Sequence, residues 1–480
     1  MSIIIPANSA VSGGFSVANS LMFNSADSAY LSKTFGSAGT RTKYTISLWV
    51  KRSKVGATQC LFSAGTGSNN SMTITFNGND TLYWNSYSGD GANYDYFLDT
   101  TRKFRDVSAW YHIVCAFDST QGTSSNRMKI YINGVQETSF VTETYPGSYS
   151  DYAFNNILHE IGQDVGAGSR FFDGYMAEYC GIDGLQLTPT SFGEFEEDSE
   201  IWQPIDVSEL TFGTNGFYLD FEDSSALGDD AAGSNDFATN NLAATDQGTD
   251  TCTNNFSTLN LLATSSYATL SQGNNTVQGN SAANSAETFS TFSTGNNGKW
   301  YYEIKCTARG GVGNPTIGFI HTARGFRLQN GEPGLGGATN GSLDIRVQPN
   351  GKTFDNGAAS GSAVISTYTA GDILGFAIDS DNGAFYVSKN GVWQTSGNPE
   401  SGASRTGAIK TWSPTDSKVT EGQSVCIGVY NTATVADANF GSPHFAITSG
   451  NADGNSYGDF EFAVPTGYFA LCTKNLAEYG

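Results

Sequence analysis

The sequence predicts an all-β protein made of two antiparallel β-sandwich (jelly-roll-like) domains, and three observations lead to this prediction. The 480-residue chain contains 57 Gly and only 15% charged residues, a composition that suits many short strands joined by many turns. Its length exceeds that of one ordinary hydrophobic core. Apolar and polar residues alternate in short runs along the chain, and no run has the period of a three-turn amphipathic helix.

The first 19 residues (1–19) predict an extended N-terminal arm. Apart from the run Ile3-Ile4-Ile5, they are mostly small and polar, so we expect them to dock as a strand on a partner. They lack the basic start and long apolar stretch of a secretory signal. No apolar run approaches the ~18–20 residues that cross a bilayer, so we expect no membrane insertion. The protein would then reach the outside of a cell only as part of an assembly or by lysis.

Residues 20–222 predict the first sandwich. In "YTISLWVKR" (44–52), Ile46, Leu48 and Val50 share one face, as in a half-buried strand. The strand phrases that follow are, in order, "MTITFNGNDTLYWNS", "WYHIVCAFD", "RMKIYINGVQE", "HEIGQ" and "RFFDGYMAEYCGIDGLQL". Short strands with turn residues at regular spacing are typical of a sandwich.

Residues 223–260 predict a polar linker, and residues 261–480 predict the second sandwich with a C-terminal extension. The linker is rich in Asp, Asn and Thr and poor in apolar residues, and its length suggests that part of it lies over one domain. Strand phrases then resume: "KWYYEIKC", "TIGFI", "DILGFAID", "AFYVSKNG", "SVCIGVYN" and "ADANFG".

Two phrases in different halves share an Asn-Gly pair: "MKIYINGVQ" (128–136) and "FYVSKNGVWQ" (385–394). In a two-residue hairpin both central residues need positive φ, which Asn-Gly adopts at the lowest cost. Nothing on either side of the two phrases matches. We therefore interpret them as the same turn formed twice, and not as an internal repeat.

The formal net charge of −22 excludes nucleic acid as an expected partner, because such a surface repels phosphates. The seven cysteines are odd in number and widely spaced. Cys115 and Cys426 lie in apolar runs, so we expect reduced thiols in the cores. A disulfide framework or a zinc site is the alternative.

Residues 20–220 resemble the laminin-G-like (LamG), concanavalin A-like sandwiches. The resemblance rests on "YTISLWVKR", "AWYHIVCAFD", "RMKIYINGVQ" and "FFDGYMAEYCGIDGLQLTPTSFGEF", in that order. Residues 262–445 resemble a SPRY domain, through "GKWYYEI", "IGFI", "GDILGFAID", "AFYVSKNG", "CIGVY" and "ANFG". Both resemblances imply β-sandwich folds.

The two modules together resemble a type of protein encoded by tailed bacteriophages, especially marine ones. This resemblance implies a virion protein with lectin-like modules at its surface, binding a host-surface glycan or protein in the manner of a tail fibre or spike. The alternative is a capsid decoration, tail or connector protein whose loops contact only other virion proteins. In either case we expect a homo-oligomer located in the virion, although a fold alone does not assign a function.

No residue pattern predicts catalysis, so we expect no enzyme and no catalytic residue. A concanavalin A-like glucanase would require Glu-x-Asp-x-x-Glu on one strand, and the sequence has no such phrase. The four histidines, His112, His159, His321 and His444, are far apart, and there is no nucleophile elbow or P-loop. A polysaccharide depolymerase is the second alternative.

The candidate binding residues are aromatic and polar residues on expected loops. Rigid tyrosine rings offer large apolar faces at small entropic cost, which suits sugar or protein binding. The candidates in the first half are Tyr87, Tyr94, Tyr96, Tyr145, Tyr149 and Tyr152. The alternative is that these rings pack against a neighbouring subunit or the second domain. In the second half the SPRY resemblance implies loop recognition, with Arg309, Arg324, Arg327 and Trp393 as anchors.

No cofactor is required by this interpretation, but a Ca²⁺ site is a hypothesis. Ca²⁺ prefers clustered carboxylate and carbonyl oxygens, and sandwich lectins often use it to hold loops. Asp90 and Asp95 bracket a loop long enough to fold around an ion.

Overall fold

The computed structural model describes residues 14–89, 94–282, 284–310, 314–321, 344–355, 358–415 and 422–480. It divides into two compact units, one ending at Thr253 and the other beginning at Asn254. Each unit has its own antiparallel sheets and its own hydrophobic core. The prediction of an all-β chain with β-sandwich domains is confirmed.

The N-terminal unit contains eighteen described strands and three short 3-10 helices. The strands are β1 (Ser20–Phe23), β2 (Tyr30–Thr34), β3 (Lys43–Arg52), β4 (Gln59–Gly67), β5 (Asn70–Phe76), β6 (Leu82–Tyr87), β7 (Tyr94–Thr100), β8 (Trp110–Asp118), β9 (Met128–Ile132), β10 (Val135–Gln136), β11 (Phe140–Thr144), β12 (Leu158–Ile161), β13 (Gly174–Asp183), β14 (Gly193–Phe195), β15 (Trp202–Pro204), β16 (Phe217–Leu219), β17 (Ala238–Asn240) and β18 (Gln247–Gly248). The 3-10 helices are Ser124–Asn126, Pro189–Ser191 and Ala244–Asp246.

Two large sheets form the N-terminal sandwich. Sheet A has the strand order β10-β9-β8-β3-β13-β1-β18, with β16 added to β13, and sheet B has the order β11-β7-β6-β5-β4-β12-β2-β17. The alternation read from the sequence is correct: Ile46, Leu48 and Val50 of β3 join the core, where they meet Ile74 and Trp84 of sheet B. The other face of sheet A is also buried, because Trp49 of β3 and Val114 of β8 belong to further apolar clusters outside the main core.

The Asn-Gly hairpins have the backbone that the sequence predicts. Asn133 and Gly134 join β9 to β10 with φ of 48° and 79°. Asn390 and Gly391 form the corresponding turn in the second unit, with φ of 47° and 78°. Positive φ at both central residues is the requirement of this two-residue turn.

The structure corrects the extent of the predicted polar linker (223–260). Residues up to Thr253 belong to the N-terminal unit: β17 extends sheet B beside β2, and β18 extends sheet A beside β1. Although this segment is polar, it belongs to the sandwich because its backbone forms hydrogen bonds with the edge strands β2 and β1. Of the predicted arm (1–19), residues 1–13 lie outside the described residues, and Val17 is buried, with its N–H donating to Thr253 Oγ1 at 3.0 Å.

The C-terminal unit contains fifteen described strands, one α-helix and three 3-10 helices. The strands are β19 (Ala268–Ser271), β20 (Thr276–Gly279), β21 (Ser285–Ser293), β22 (Lys299–Ala308), β23 (Thr316–His321), β24 (Asp344–Val347), β25 (Thr353–Asp355), β26 (Ala358–Ala359), β27 (Ile373–Asp379), β28 (Ala384–Lys389), β29 (Val392–Trp393), β30 (Lys410–Thr411), β31 (Gln423–Tyr430), β32 (Val435–Asn439) and β33 (Phe469–Ala470). The helices are α1 (Thr473–Tyr479) and the 3-10 segments Leu261–Ala263, Gln394–Ser396 and Pro399–Ser404.

Two sheets again face each other across the C-terminal core. Sheet C has the order β19-β20-β32-β22-β27-β28-β29, with β30 on β28 and β33 on β22, and sheet D has the order β21-β31-β23-β24-β25-β26. Ile304 and Phe376 of sheet C pack with Ile317 and Ile427 of sheet D. The core consists mainly of aliphatic and aromatic side chains that are almost completely buried.

All seven cysteines are buried free thiols, as the sequence predicted. His112 and His159 are buried and hydrogen-bonded, and burial lowers the pKa of His112 to about 3. Within the part of the chain that the structure describes, no helix is long and apolar enough to span a bilayer.

Candidate ligand-binding groove

The outer face of sheet B carries a row of polar and aromatic side chains. Thr73 of β5 lies opposite Asn85 of β6, and Asn85 lies opposite Phe97 of β7. Because side chains alternate along each strand, the neighbours Ile74 and Trp84 point into the core while this row points outward. Regular strand pairing thus places the three side chains side by side.

Four aromatic rings form one end of this row. The ring centroids of Tyr87 and Tyr94 are 4.2 Å apart, and those of Tyr94 and Phe97 are 4.5 Å apart with nearly parallel planes. Tyr83 meets Phe97 edge-on at 5.8 Å. Tyr94 is 40% exposed, so the stack presents an aromatic surface to solvent.

The middle of the row consists of amides and hydroxyls. Thr73 Oγ1 donates to Asn85 Oδ1 at 3.0 Å. This hydrogen bond fixes the orientation of the Asn85 amide, so its Nδ2 group points away from Thr73. Both side chains are mostly buried in the floor of the groove. The result is a set of donors and acceptors in fixed positions beside an aromatic platform.

Arg170 and Asp164 form the opposite side. Arg170 Nη1 donates to Asp164 Oδ2 at 2.8 Å and to Tyr83 Oη at 3.3 Å. Asp164 Oδ1 also accepts the backbone N–H groups of Gly166 and Ala167. Arg170 adopts a left-handed backbone with φ of 62°. The ion pair closes the 164–170 turn, and the hydrogen bond to Tyr83 joins that turn to sheet B.

These features enclose a cleft of about 410 Å³, which we call the sheet-B groove. Its lining residues are Thr58, Ser68, Asn69, Ser71, Thr73, Asn77, Tyr83, Asn85, Tyr87, Tyr94, Phe97, Asp164, Gly166, Ala167 and Arg170. Its volume lies in the range of small-molecule sites in proteins.

Glu160 of β12 extends the row past Ser63, which lies opposite Thr73. Its Oε2 atom is buried and has no hydrogen-bond partner among the described residues. Burial, together with the nearby charge of Asp164, raises the pKa of Glu160 to about 7. Glycoside hydrolysis uses two carboxylates. The carboxylate of Asp164, near Glu160, accepts hydrogen bonds from two backbone N–H groups and from Arg170.

The structure places the six predicted tyrosines in three different settings. Tyr87 and Tyr94 line the sheet-B groove. The structure corrects the expectation for Tyr96, which was that it lies on an exposed loop. Tyr96 lies on β7, where side chains point alternately inward and outward, and its own side chain points into the core. It is fully buried, and its hydroxyl donates to Asp151. The remaining three, Tyr145, Tyr149 and Tyr152, are half-buried and pack against the core.

The predicted Ca²⁺ pair is only partly described. Asp90 lies outside the described residues. Asp95 accepts hydrogen bonds from Ser88 Oγ at 2.7 Å and from Tyr149 Oη at 3.0 Å. No group of three or more His, Cys, Asp or Glu within the described ranges could hold a metal ion. Calcium binding at this loop stays a prediction, which melting curves with and without a chelator would test.

The structure describes two of the four predicted anchors of the second half, and these two do not come together. Arg309 follows β22 and is exposed, whereas Trp393 ends β29 and is half-buried against the cluster of Tyr301 and Tyr386. Two strands, β27 and β28, lie between β22 and β29. Arg324 and Arg327 lie outside the described residues.

Sequence reasoning missed most of the groove. Thr73, Asn85 and Phe97 lie within strand phrases. Their alternation with buried residues could have indicated that they lie on the outer face of the sheet. Asp164 and Arg170 gave no such signal, because only the fold brings their turn beside β6.

One family model matches part of the N-terminal unit. The family model described as the concanavalin A-like lectin/glucanases superfamily matches residues 24–180, which confirms the LamG-like resemblance of the first half. No curated protein matches the chain.

Several solved structures are similar to parts of the chain. A putative carbohydrate binding protein from Bacteroides ovatus is 18% identical, with 47% of this chain and 59% of that chain covered and a TM-score of 0.33. The SPRY domain of human HERC1 is 10% identical, with 38% and 96% covered and a TM-score of 0.27. The CBM40 of a Ruminococcus gnavus sialidase is 16% identical, with 35% and 90% covered and a TM-score of 0.24.

Proposed function

We propose that this chain is a non-catalytic carbohydrate-binding protein that holds a glycan in the sheet-B groove. The observation that carries the proposal is the aromatic stack of Tyr87, Tyr94 and Phe97 beside the fixed amide of Asn85. Sugar rings have apolar C–H faces and polar edges. A groove with exposed rings on one side and amides and hydroxyls on the other complements both.

The direction of the row indicates the kind of glycan. Neighbouring strands lie about 4.8 Å apart, so the side chains from β7 to β4 cover roughly 14 Å. A pyranose unit spans a comparable length to one strand spacing. An oligosaccharide of about three units lying across the strands therefore fits the row better than a single terminal sugar.

A tailed-phage virion is the biological setting that we propose, with the chain as an adhesion protein of tail-fibre or spike type. The support is the pairing of a LamG-like half with a SPRY-like half and an acidic surface. The proposed partners are other virion proteins and a host-surface glycan, and a homo-oligomer would add avidity to weak single sites. The competing proposal is a capsid decoration or connector protein that contacts only virion proteins.

A glycan array with the full-length protein tests the binding proposal. We expect binding to a limited set of oligosaccharides, and a loss of at least tenfold in affinity for Tyr94→Ala and Asn85→Ala. Tyr267→Ala is the matched control, because Tyr267 is a comparably exposed tyrosine in the other unit. A flat array beside tight association with capsid or tail proteins would favour the decoration alternative.

The depolymerase alternative has its own test. We expect the viscosity of a bound polysaccharide to stay constant during incubation with the protein. A falling viscosity that Glu160→Gln abolishes would replace the binding proposal with a catalytic one.

A further inference from the structure

A second cleft lies on the C-terminal unit, on sheet C. Its volume is about 410 Å³, and it is lined by Asp381, Asn382, Ala403, Arg405, Thr411, Trp412, Ser413 and Pro414. It combines a guanidinium, an indole and a carboxylate with an amide and two hydroxyl groups. These are the side chains of the β27–β28 turn and of the segment around β30.

The walls of this cleft are held rigidly before any ligand arrives. The backbone N–H of Trp412 donates to the carbonyl of Gly383 at 3.0 Å. Gly383 has φ of 68°, and a Cβ at that position would lie 2.2 Å from the Trp412 carbonyl oxygen, so the close approach requires glycine. Asn382 is fixed on the other side by two hydrogen bonds of 2.9 Å to Asp379.

Most side-chain N–H groups of Arg405 form no hydrogen bond with the described residues around this cleft. Its only side-chain hydrogen bond within the described part of the chain runs from Nη1 to the Trp412 carbonyl at 3.2 Å. No carboxylate of the described residues lies within ion-pair distance of it, although acidic residues outnumber basic ones 46 to 24. One end of the guanidinium is thus anchored, and the remaining N–H groups can bind a ligand.

The backbone around Arg405 is unusual as well. Thr395, Ser396 and Arg405 all have positive φ, at 55°, 55° and 48°. Non-glycine residues pay a conformational cost there, and such residues concentrate at functional sites. Arg405, one of these three residues, lines the cleft.

We propose that this cleft binds an acidic sugar unit, that is, a hydroxylated ring bearing one carboxylate. Arginine binds carboxylates through two parallel hydrogen bonds. Asp381 on the same cleft and the net charge of −22 disfavour a multiply charged phosphate. Asp381 and Asn382 would instead receive ring hydroxyls, and the half-buried indole of Trp412 would face the C–H side of the ring.

Titrations of the full-length protein followed by ligand-observed NMR test this inference. The probes are glucuronate and N-acetylneuraminate, with methyl glucoside as the neutral sugar and N-acetylglycine as the single carboxylate without a ring. We expect millimolar binding of at least one acidic sugar and at least tenfold weaker binding of both controls. Arg405→Gln should reduce the affinity at least tenfold.

Two further variants keep the outcome interpretable. Ala403→Tyr fills the cleft from an exposed position, so it should block binding even if Arg405→Gln is unstable. Tyr94→Ala, in the sheet-B groove, should leave acidic-sugar binding unchanged, which separates this site from the proposed glycan site. Equal binding of N-acetylglycine, or binding that survives both Arg405→Gln and Ala403→Tyr, would overturn the proposal.

Discussion

Lys51 Nζ lies 2.7 Å from Asp250 Oδ2, and each side chain is only 1% exposed. Lys51 belongs to β3 in the centre of sheet A, whereas Asp250 follows β18, 199 residues later. Trp110 Nε1 also donates to Asp250, at 3.2 Å. This ion pair joins the segment that follows β18 to the central strand β3 of sheet A.

Breaking this pair should destabilise the N-terminal unit strongly. We expect Lys51→Met or Asp250→Ala to lower the free energy of unfolding by about 3–5 kcal/mol, because each leaves a buried charge without its counterion. Lys51→Met/Asp250→Leu should regain much of the loss. Lys43→Ala is the control: its pair with Asp118 has a lysine 41% exposed, and its removal should cost about 1 kcal/mol or less. Urea unfolding curves would measure all four, and equal effects of Lys51 and Lys43 would contradict the prediction.

Tyr96→Phe should reduce stability and leave glycan affinity unchanged. The Tyr96 hydroxyl donates to Asp151 Oδ2 at 2.6 Å in the core, where the carboxyl is fully buried. Hydrogen bonds to charged groups contribute about 1.5–3 kcal/mol, so we expect a loss of that size. Tyr267→Phe, at an exposed tyrosine, should have almost no effect on the unfolding midpoint. If Tyr96→Phe weakens glycan binding without loss of stability, Tyr96 belongs to the binding site and the prediction is wrong.

Glu178 should make stability fall as the pH rises. It is buried, with one oxygen 2.8 Å from the donating hydroxyl of Tyr218, and burial raises its pKa from the ordinary 4.5 to about 8. The folded state therefore holds the proton more tightly than the unfolded chain. The stability that this group contributes is fully present below pH 4.5 and is lost as the pH rises through about 8.

Glu178→Gln should remove that pH dependence. We expect the variant to match the wild type near pH 4.5 and to exceed it by roughly 5 kcal/mol at pH 9, since the pKa of Glu178 rises from 4.5 to about 8 and one pKa unit corresponds to about 1.4 kcal/mol. Glu197→Gln, at an exposed position, is the control and should follow the wild type throughout. Thermal melts across this pH range would decide, and parallel curves for wild type and Glu178→Gln would refute the prediction.

Gly134→Ala should destabilise the β9–β10 hairpin. Gly134 has φ of 79°, and an added Cβ would lie 2.4 Å from the ring of Trp202. Backbone strain and the clash both act on the folded state, so we expect a loss of more than about 1 kcal/mol. Gly122→Ala is the matched control, because its Cβ would meet no atom within 4 Å. A similar midpoint of unfolding for the two variants would show that the turn tolerates a side chain.

The structure bears out those sequence predictions that rest on local rules. Alternation in "YTISLWVKR" identified the buried face of β3, and the Asn-Gly pairs identified two hairpins with positive φ. Both follow from the two-residue period of a strand and the steric limits of one backbone, so neighbouring residues suffice to predict them. The buried thiols followed equally from their apolar surroundings.

Only the tertiary structure decided which residues meet across the sheets. Tyr94 and Tyr96 are two positions apart in a tyrosine-rich segment, so simple alternation would place them on the same face of β7. A β-bulge between them, where β7 pairs with β6, places Tyr94 in the groove and Tyr96 against Asp151 in the core. Arg170 reaches Tyr83, and Asp250 reaches Lys51, through contacts between distant parts of the chain. The sequence determined the strands and turns by itself because short-range sterics and burial produce them. The groove and the ion pairs depend on strand order and register, which are set by the packing of the whole sandwich.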